Sequence, residues 1–399
     1  MGTTSYRFAW YLAVLQLFFA LCWTIYVIYL PKLAAAAEIA PKAVILVLML
    51  DQAIFTICDF ATGIAADRVT RVLGRLGVLV TATTALSCAA FLLMPLIASA
   101  GAPIFIAVIV VWTVTSSALR APPLMLLGKY ARKPSIPYLS ALALLGTGIA
   151  GAIGPYLTTA LRDIDPRIPF ALASIVLMLV TLGMIKAERI LAEAPHPTPT
   201  KPPVRSFGNM TRPAIAFALV MITLALGYQL HFALDSAPLF LRFTKADQLQ
   251  WLMPVFWIGF NLSMFPAGVV TNRLGGYMVM GGAALIGALG ILAAHLAQGL
   301  GQMVVAQFAA GAAWGAILMS AFSVAFAIGE NGGEGRMSGL LFSALAIATL
   351  ARMATIATGF NTDPSFKAVL QWLPIMCWTV AGVALLYLAA ARMKRWIER

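Results

Sequence analysis

The chain has 399 residues, 61% hydrophobic and only 10% charged, with a mean hydropathy of +0.92. A water-soluble domain needs far more polar surface than this, so lipid is expected to solvate most of the chain. The net charge of +13 is read as membrane topology, not nucleic-acid binding, because of where the basic residues fall.

Cutting the sequence at charges, prolines and glycines leaves twelve apolar runs, at about 8–30, 43–66, 76–98, 103–127, 136–160, 168–186, 213–240, 249–271, 276–298, 301–328, 336–360 and 367–391. Each approaches the ~20 residues a helix needs to cross a ~30 Å hydrocarbon core. Open strands are excluded there, because every backbone group must find its partner within the segment. The first run is too long for a signal peptide and lacks a small-residue cleavage site, so it is kept as the first span. After the sixth run comes Lys186 to Arg212, which holds Pro195, Pro197, Pro199, Pro202 and Pro203. Proline at that density reads as a flexible linker. The expected organisation is therefore an all-α membrane protein: one six-helix bundle over 1–185, a cytoplasmic linker over 186–212 and a second bundle over 213–399. The end of the chain, Arg392-Met393-Lys394-Arg395-Trp396, suits an inner headgroup region.

With the N-terminus placed inside, 18 Lys and Arg fall on the cytoplasmic side and seven outside, the remaining two of the 27 being Arg120 and Arg352 within spans. That bias fixes both termini in the cytoplasm, and the expected location is a bacterial inner membrane. Cys22, Cys58, Cys88 and Cys377 all lie in apolar runs without paired spacing, and read as small packing residues.

One motif occurs twice. Gly63-Ile64-Ala65-Ala66-Asp67-Arg68-Val69-Thr70-Arg71 leaves the second run, and Gly268-Val269-Val270-Thr271-Asn272-Arg273-Leu274-Gly275-Gly276 leaves the eighth, 205 residues later. Each copy follows the second segment of its half, the mark of two homologous bundles. With the six-plus-six pattern and the basic central loop, the Gly-x-x-x-Asp-Arg-x-x-Arg signature resembles the major facilitator superfamily. The family's usual glycine after Asp-Arg-x is Thr70 here, and Asn272 stands for the aspartate in the second copy. The resemblance implies a twelve-helix transporter with a central cavity. It also implies a gate in which Asp67, Arg68 and Arg71 hold facing helix ends, with Gly63, Gly268, Asn272 and Arg273 as motif partners. The alternative for the motif's arginines is a role in topology alone.

Ionisable residues inside spans come next, because a charge in hydrocarbon costs ~2.5–3.5 kcal/mol or more and is rarely kept without use. Asp59 lies eight residues before Asp67, about 12 Å along the helix, and belongs either to the gate or to the substrate site. Asp51, two turns further on, is either a carrier of a coupling proton or a polar residue hydrogen-bonded between helices. His231 and Asp235 are spaced i, i+4, so they share a helix face and can hydrogen-bond across a turn. Such a pair would exchange protons near neutral pH, unless it only lines a wetted vestibule with Tyr228, Gln229 and Pro238. Arg120 and Arg352 keep their protons, so each needs a carboxylate or a substrate anion. Arg120 paired with Asp59 or Asp51 is one outcome, and two arginines opposed across a substrate is the other. Tyr26, Tyr228, Trp257 and Trp314, with Trp23, are candidates for lining a solute cavity or for packing.

In the fifth run, the small residues Gly146, Ala150 and Gly154 ahead of Pro155 form one face for close helix contact. They resemble in part the Gly-Pro motif of drug/proton antiporters. No Gly-x-x-x-x-Gly-Lys loop is present, so ATP drive is not expected. The reading is a monomeric, proton-coupled secondary transporter of a small organic solute, an organic anion being favoured by the arginines. The alternative is a proton-driven exporter of drugs or metabolites. Its partners are substrate, protons and the bilayer, with no enzyme activity, cofactor, metal or nucleic acid.

Overall fold

The computed structural model describes residues 3–69, 75–131, 133–193, 210–330 and 332–397. Twelve helical segments are long and apolar enough to cross a membrane. They are α1 (Ser5–Ala36), α2 (Pro41–Val69), α3 (Leu76–Ala100), α4 (Ala102–Tyr130), α5 (Ile136–Ala160) and α6 (Arg167–Leu191) in the first half. The second half holds α7 (Arg212–Phe240), α8 (Ala246–Leu274), α9 (Gly276–Leu296), α10 (Leu300–Ile328), α11 (Glu334–Ala357) and α12 (Pro364–Ala391). Among the described residues there is no strand, as segment-by-segment backbone pairing in lipid demands.

Proline and glycine punctuate these helices where their backbones allow. Pro103, Pro137 and Pro213 occupy the first turns of α4, α5 and α7, and Pro254 opens the long part of α8, Pro254–Leu274, where a missing N–H leaves no bond unmade. Gly101 (φ +97°) and Gly275 (φ +86°) each reverse the chain almost alone, between α3 and α4 and between α8 and α9, in a conformation a Cβ disfavours.

Three expectations about segment edges and continuity change. The sixth helix runs from Arg167 to Glu193, well past residue 185 and into the stretch read as linker. Its proline-rich part, 194–209, lies outside the described residues, as does Arg71. The fourth run is not one helix: Ala102–Ser116 passes through a tight turn at Ser117–Leu119 before Ala121–Tyr130 resumes. Pro122 and Pro123 cause this, since neither has an N–H for the carbonyls of Ala118 and Leu119 four residues back. Gln16 of α1 donates its amide to the freed Leu119 carbonyl at 3.0 Å. The seventh helix widens into a π-turn at His231–Asp235.

In the first half α1 packs on α5 and α6, and α3 on α4 and α6. In the second, α10 packs on α8 and α9, while α12 packs on α7 and α9. The halves meet along two seams, α2 against α11 and α5 against α8. Large apolar side chains such as Ile57, Leu172, Ile286 and Val305 remain exposed, the surface a lipid solvent stabilises. The four cysteines are unpaired.

Candidate functional site

At the end of the bundle where the motifs lie, Asp67 reaches across the seam. One of its carboxylate oxygens accepts from the Gly335 N–H at 2.7 Å and the other from the Arg336 N–H at 2.8 Å. These are first-turn amides of α11, whose carbonyl partners do not exist within the helix, so a carboxylate there caps both the hydrogen bonds and the dipole. The approach needs glycine: a Cβ on Gly63 would overlap the Gly335 carbonyl, and one on Gly339 would overlap the Asp59 carbonyl. Ser343 continues the seam by donating to the Thr56 carbonyl at 2.7 Å. Arg68 is exposed.

The second copy of the motif works with opposite polarity. Gly268 is buried against Tyr138, and the Asn272 amide donates to the Pro134 carbonyl at 2.8 Å, just before α5 begins. The first copy meets N–H donors and carries an acceptor; the second meets a carbonyl and carries a donor. Asparagine therefore fits where aspartate would oppose two acceptors. Arg273 is exposed. Asn272→Asp should weaken the α5–α8 seam by about 1 kcal/mol. The check is the rate at which a thiol reagent labels Tyr138→Cys, which should rise when Asn272→Asp is added; an unchanged rate would show that this bond does not hold the seam.

One turn inside the first seam, Arg120 pairs with Asp59 at 3.0 Å. The guanidinium lies between two rings, 4.5 Å from the Phe55 centroid and 5.1 Å from that of Phe342 on α11. The α4 break places it there. Of the two outcomes open to Arg120, internal pairing is the one observed. Deeper still, Asp51 has no exposed surface; the Tyr26 and Thr113 hydroxyls each lie 2.7 Å from one of its oxygens. Trp23 and Trp112 pack on the Tyr26 ring that reaches it, Tyr26 and Trp112 with centroids 4.7 Å apart.

The second half gathers a different set. Tyr228 stacks on Trp314 with centroids 4.5 Å apart and planes 6° from parallel, and meets Trp257 edge-on. Phe232 and Phe256 complete the wall. Gln229 donates to Thr349 of α11 at 2.9 Å. Arg352, half-buried on α11 beside Tyr228, makes no ion pair among the described residues, and its Nε has no hydrogen-bond partner.

His231 and Asp235 do not hydrogen-bond to each other. Both ring nitrogens of His231 and Oδ2 of Asp235 lack a partner. The π-turn inserts an extra residue per turn, and Ser236 instead donates its hydroxyl to the His231 carbonyl at 3.0 Å. Among the described residues, no group of three or more His, Cys, Asp or Glu is placed to hold a metal ion.

No family model matches the sequence, and no curated protein sequence does so either. Solved structures match along almost the whole chain. A variant of the Escherichia coli fucose:proton symporter FucP superposes with a TM-score of 0.70 at 13% identity, covering 96% of this chain and 99% of its own. FucP described as a major facilitator superfamily transporter in the outward conformation gives 0.67 at 14% identity, with the same coverage of 96% and 99%. A bacterial homologue of the iron transporter ferroportin, in an outward-facing state, gives 0.73 at 11% identity, covering 96% of this chain and all of that one. The chain has the major facilitator superfamily fold.

On that fold most of the sequence candidates divide into four groups. Asp67, Gly63, Asn272 and Gly268 meet at the two seams; Asp59 and Arg120 pair beside one of them; Arg352, Tyr228, Gln229, Trp257 and Trp314 gather in the second half. Tyr26 joins Asp51 in the first half. Three contributors were invisible in the sequence. Gln16 and Phe342 are ordinary residues of apolar runs. Glu188, 1% exposed near the end of α6, accepts from the Gly77 N–H at 2.6 Å and the Leu76 N–H at 3.3 Å, and so caps α3 as Asp67 caps α11. An isolated acidic residue beside Lys186 and Arg189 gives no sign of this.

Proposed function

We propose that the chain is a proton-coupled secondary transporter that carries a small organic anion across the membrane by alternating access. The observation that carries the anion is Arg352. A permanently charged guanidinium, half-buried at membrane depth without a carboxylate partner, is expensive unless an anion takes it. Tyr228 beside it and Trp257 next to Tyr228 offer apolar ring surface for the rest of the solute, with the buried Trp314 stacked behind Tyr228 as support. The fold supports transport: its solved neighbours are transporters, one of them a fucose:proton symporter. In this reading the two six-helix units rock about a central site, joined through the stretch between the sixth helix, which ends at Glu193, and the seventh, which begins at Arg212. The motif end is cytoplasmic, as the 18-to-7 distribution of basic residues requires. The contacts of Asp67 and Asn272 close that end, so the conformation faces outward, and the protein acts as a monomer without enzymatic chemistry.

The test is thermal stability of the purified protein against panels of carboxylates, neutral nutrients and cationic amphiphiles, since a ligand of the folded state raises the melting temperature by mass action. Carboxylates should stabilise the wild type. Arg352→Ala should lose that response, at a cost in affinity of about tenfold or more for one charge-assisted contact. Arg352→Lys should recover part of it. Stabilisation by cationic amphiphiles alone, unaltered in Arg352→Ala, would replace this reading with the exporter.

A further inference from the structure

Asp51 sits in a row of short oxygen contacts that is fully served only when it carries a proton. Three short oxygen–oxygen contacts run in a row: Tyr26 Oη to Asp51 Oδ2 at 2.7 Å, Asp51 Oδ1 to Thr113 Oγ1 at 2.7 Å, and Thr113 Oγ1 to the Ile109 carbonyl at 2.9 Å. Each contact is strongest with a hydrogen of its own between its two oxygens. Tyr26 brings one hydrogen, Thr113 brings one and a carbonyl brings none. With Asp51 ionised, two hydrogens serve three contacts, and the single Thr113 hydrogen must be shared between Asp51 and Ile109, as that of Thr115 is between Val111 and Trp112. A proton on Oδ1 completes the row. Asp51 then donates to Thr113, Thr113 donates to Ile109, and Tyr26 donates to Oδ2.

The surrounding charges agree. Against α2 pack α1, α4 and α11. From α1 the titratable group facing Asp51 is Tyr26, and α4 presents Thr113. Arg120 of α4 is held by Asp59, the next acid along α2. On α11, the Ser343–Thr56 bond sets an antiparallel register that puts Ala348 level with Asp51 and Arg352 about one turn further from the motif end. No cation pairs with Asp51 among the described residues, and an unpaired carboxylate at this depth is costly where a neutral acid is not.

We infer that Asp51 is a neutral carboxylic acid in this conformation, and that Tyr26 and Thr113 are the fixed partners of a proton that moves with the conformational change. Release breaks only the Asp51 O–H bond. The proton passes to water on the newly opened side, the electron pair stays on Oδ1, and the Thr113 hydroxyl turns from Ile109 to the carboxylate. A neutral Asp51 also leaves Arg352 without an internal anion, so substrate and proton would load together; that last link rests on the organic-anion reading.

The experiment needs no substrate. Infrared difference spectra of purified protein at neutral pH, wild type minus Asp51→Asn, should show the carbonyl stretch of a protonated carboxyl group. Asparagine keeps an acceptor for Tyr26 and a donor for Thr113, so the variant should fold. In Thr113→Val the acid loses its acceptor, and the band should move to higher frequency without vanishing. In Asp67→Ala, which opens the motif end, the band should shrink at the same pH. A spectrum with ionised carboxylate only, or a band that ignores Thr113→Val, would overturn the assignment. A band untouched by Asp67→Ala, in protein whose motif end is demonstrably open, would make Asp51 a structural acid and overturn the moving proton. Any of these results leaves Arg352 and the anion screen to stand or fall separately.

Discussion

Asp67→Ala should move the protein out of the conformation described here by roughly a hundredfold in its equilibrium, about 3 kcal/mol for two hydrogen bonds to a charged acceptor. The bonds to Gly335 and Arg336 join the two halves, so they exist only while the motif end is closed. Losing them penalises that state alone. The glycine contacts at Gly63 and Gly339 remain, which keeps the variant folded while its balance shifts. The measurement is thiol labelling at Ser338→Cys, a position with no exposed surface, after Cys22, Cys58, Cys88 and Cys377 are replaced by alanine. Labelling should be slow with Asp67 in place and fast in Asp67→Ala. Asp67→Asn should fall between, since its amide oxygen still accepts while its NH2 opposes a second donor. Equal labelling in all three would mean that the cap does not hold the closed state.

Asp59→Asn should be the most destabilising of the conservative changes, at about 3–5 kcal/mol, because it strands a buried guanidinium. Arg120 has one carboxylate partner, and the Phe55 and Phe342 rings offset only part of its desolvation, ~2 kcal/mol for a dry cation–π contact. Arg120→Gln alone leaves a buried carboxylate and should cost a similar amount. The double variant Asp59→Asn/Arg120→Gln removes both charges, and its melting temperature in detergent should lie above that of either single variant. Strict additivity of the two losses would refute a direct pairing. Phe342 belongs to the other half, so the double variant should also loosen the seam and speed labelling at Ser338→Cys.

Much of this molecule was legible before any folding, because lipid leaves a chain few choices. The number of spans, their approximate limits and the absence of strands among the described residues follow from apolar run length and the need to satisfy each backbone group locally. The repeat at Gly63–Arg71 and Gly268–Gly276 identified which turns are equivalent in the two halves. The rarity of charge within the spans singled out Asp51, Asp59, Arg120 and Arg352, because burying charge is expensive wherever the chain goes. Tertiary structure alone decided whom each of them meets. Arg120 went to Asp59 because Pro122 and Pro123 bend α4 there, and Gln16 stabilises the bend from another helix. His231 and Asp235 separated because the π-turn broke a spacing rule that holds only for regular helix. Asn272 proved to be a donor matched to a carbonyl 138 residues away, and Glu188 a cap for α3. Sequence fixes period, length and solvent preference through local backbone physics; partners distant in the chain depend on how twelve helices pack, and no local rule encodes that.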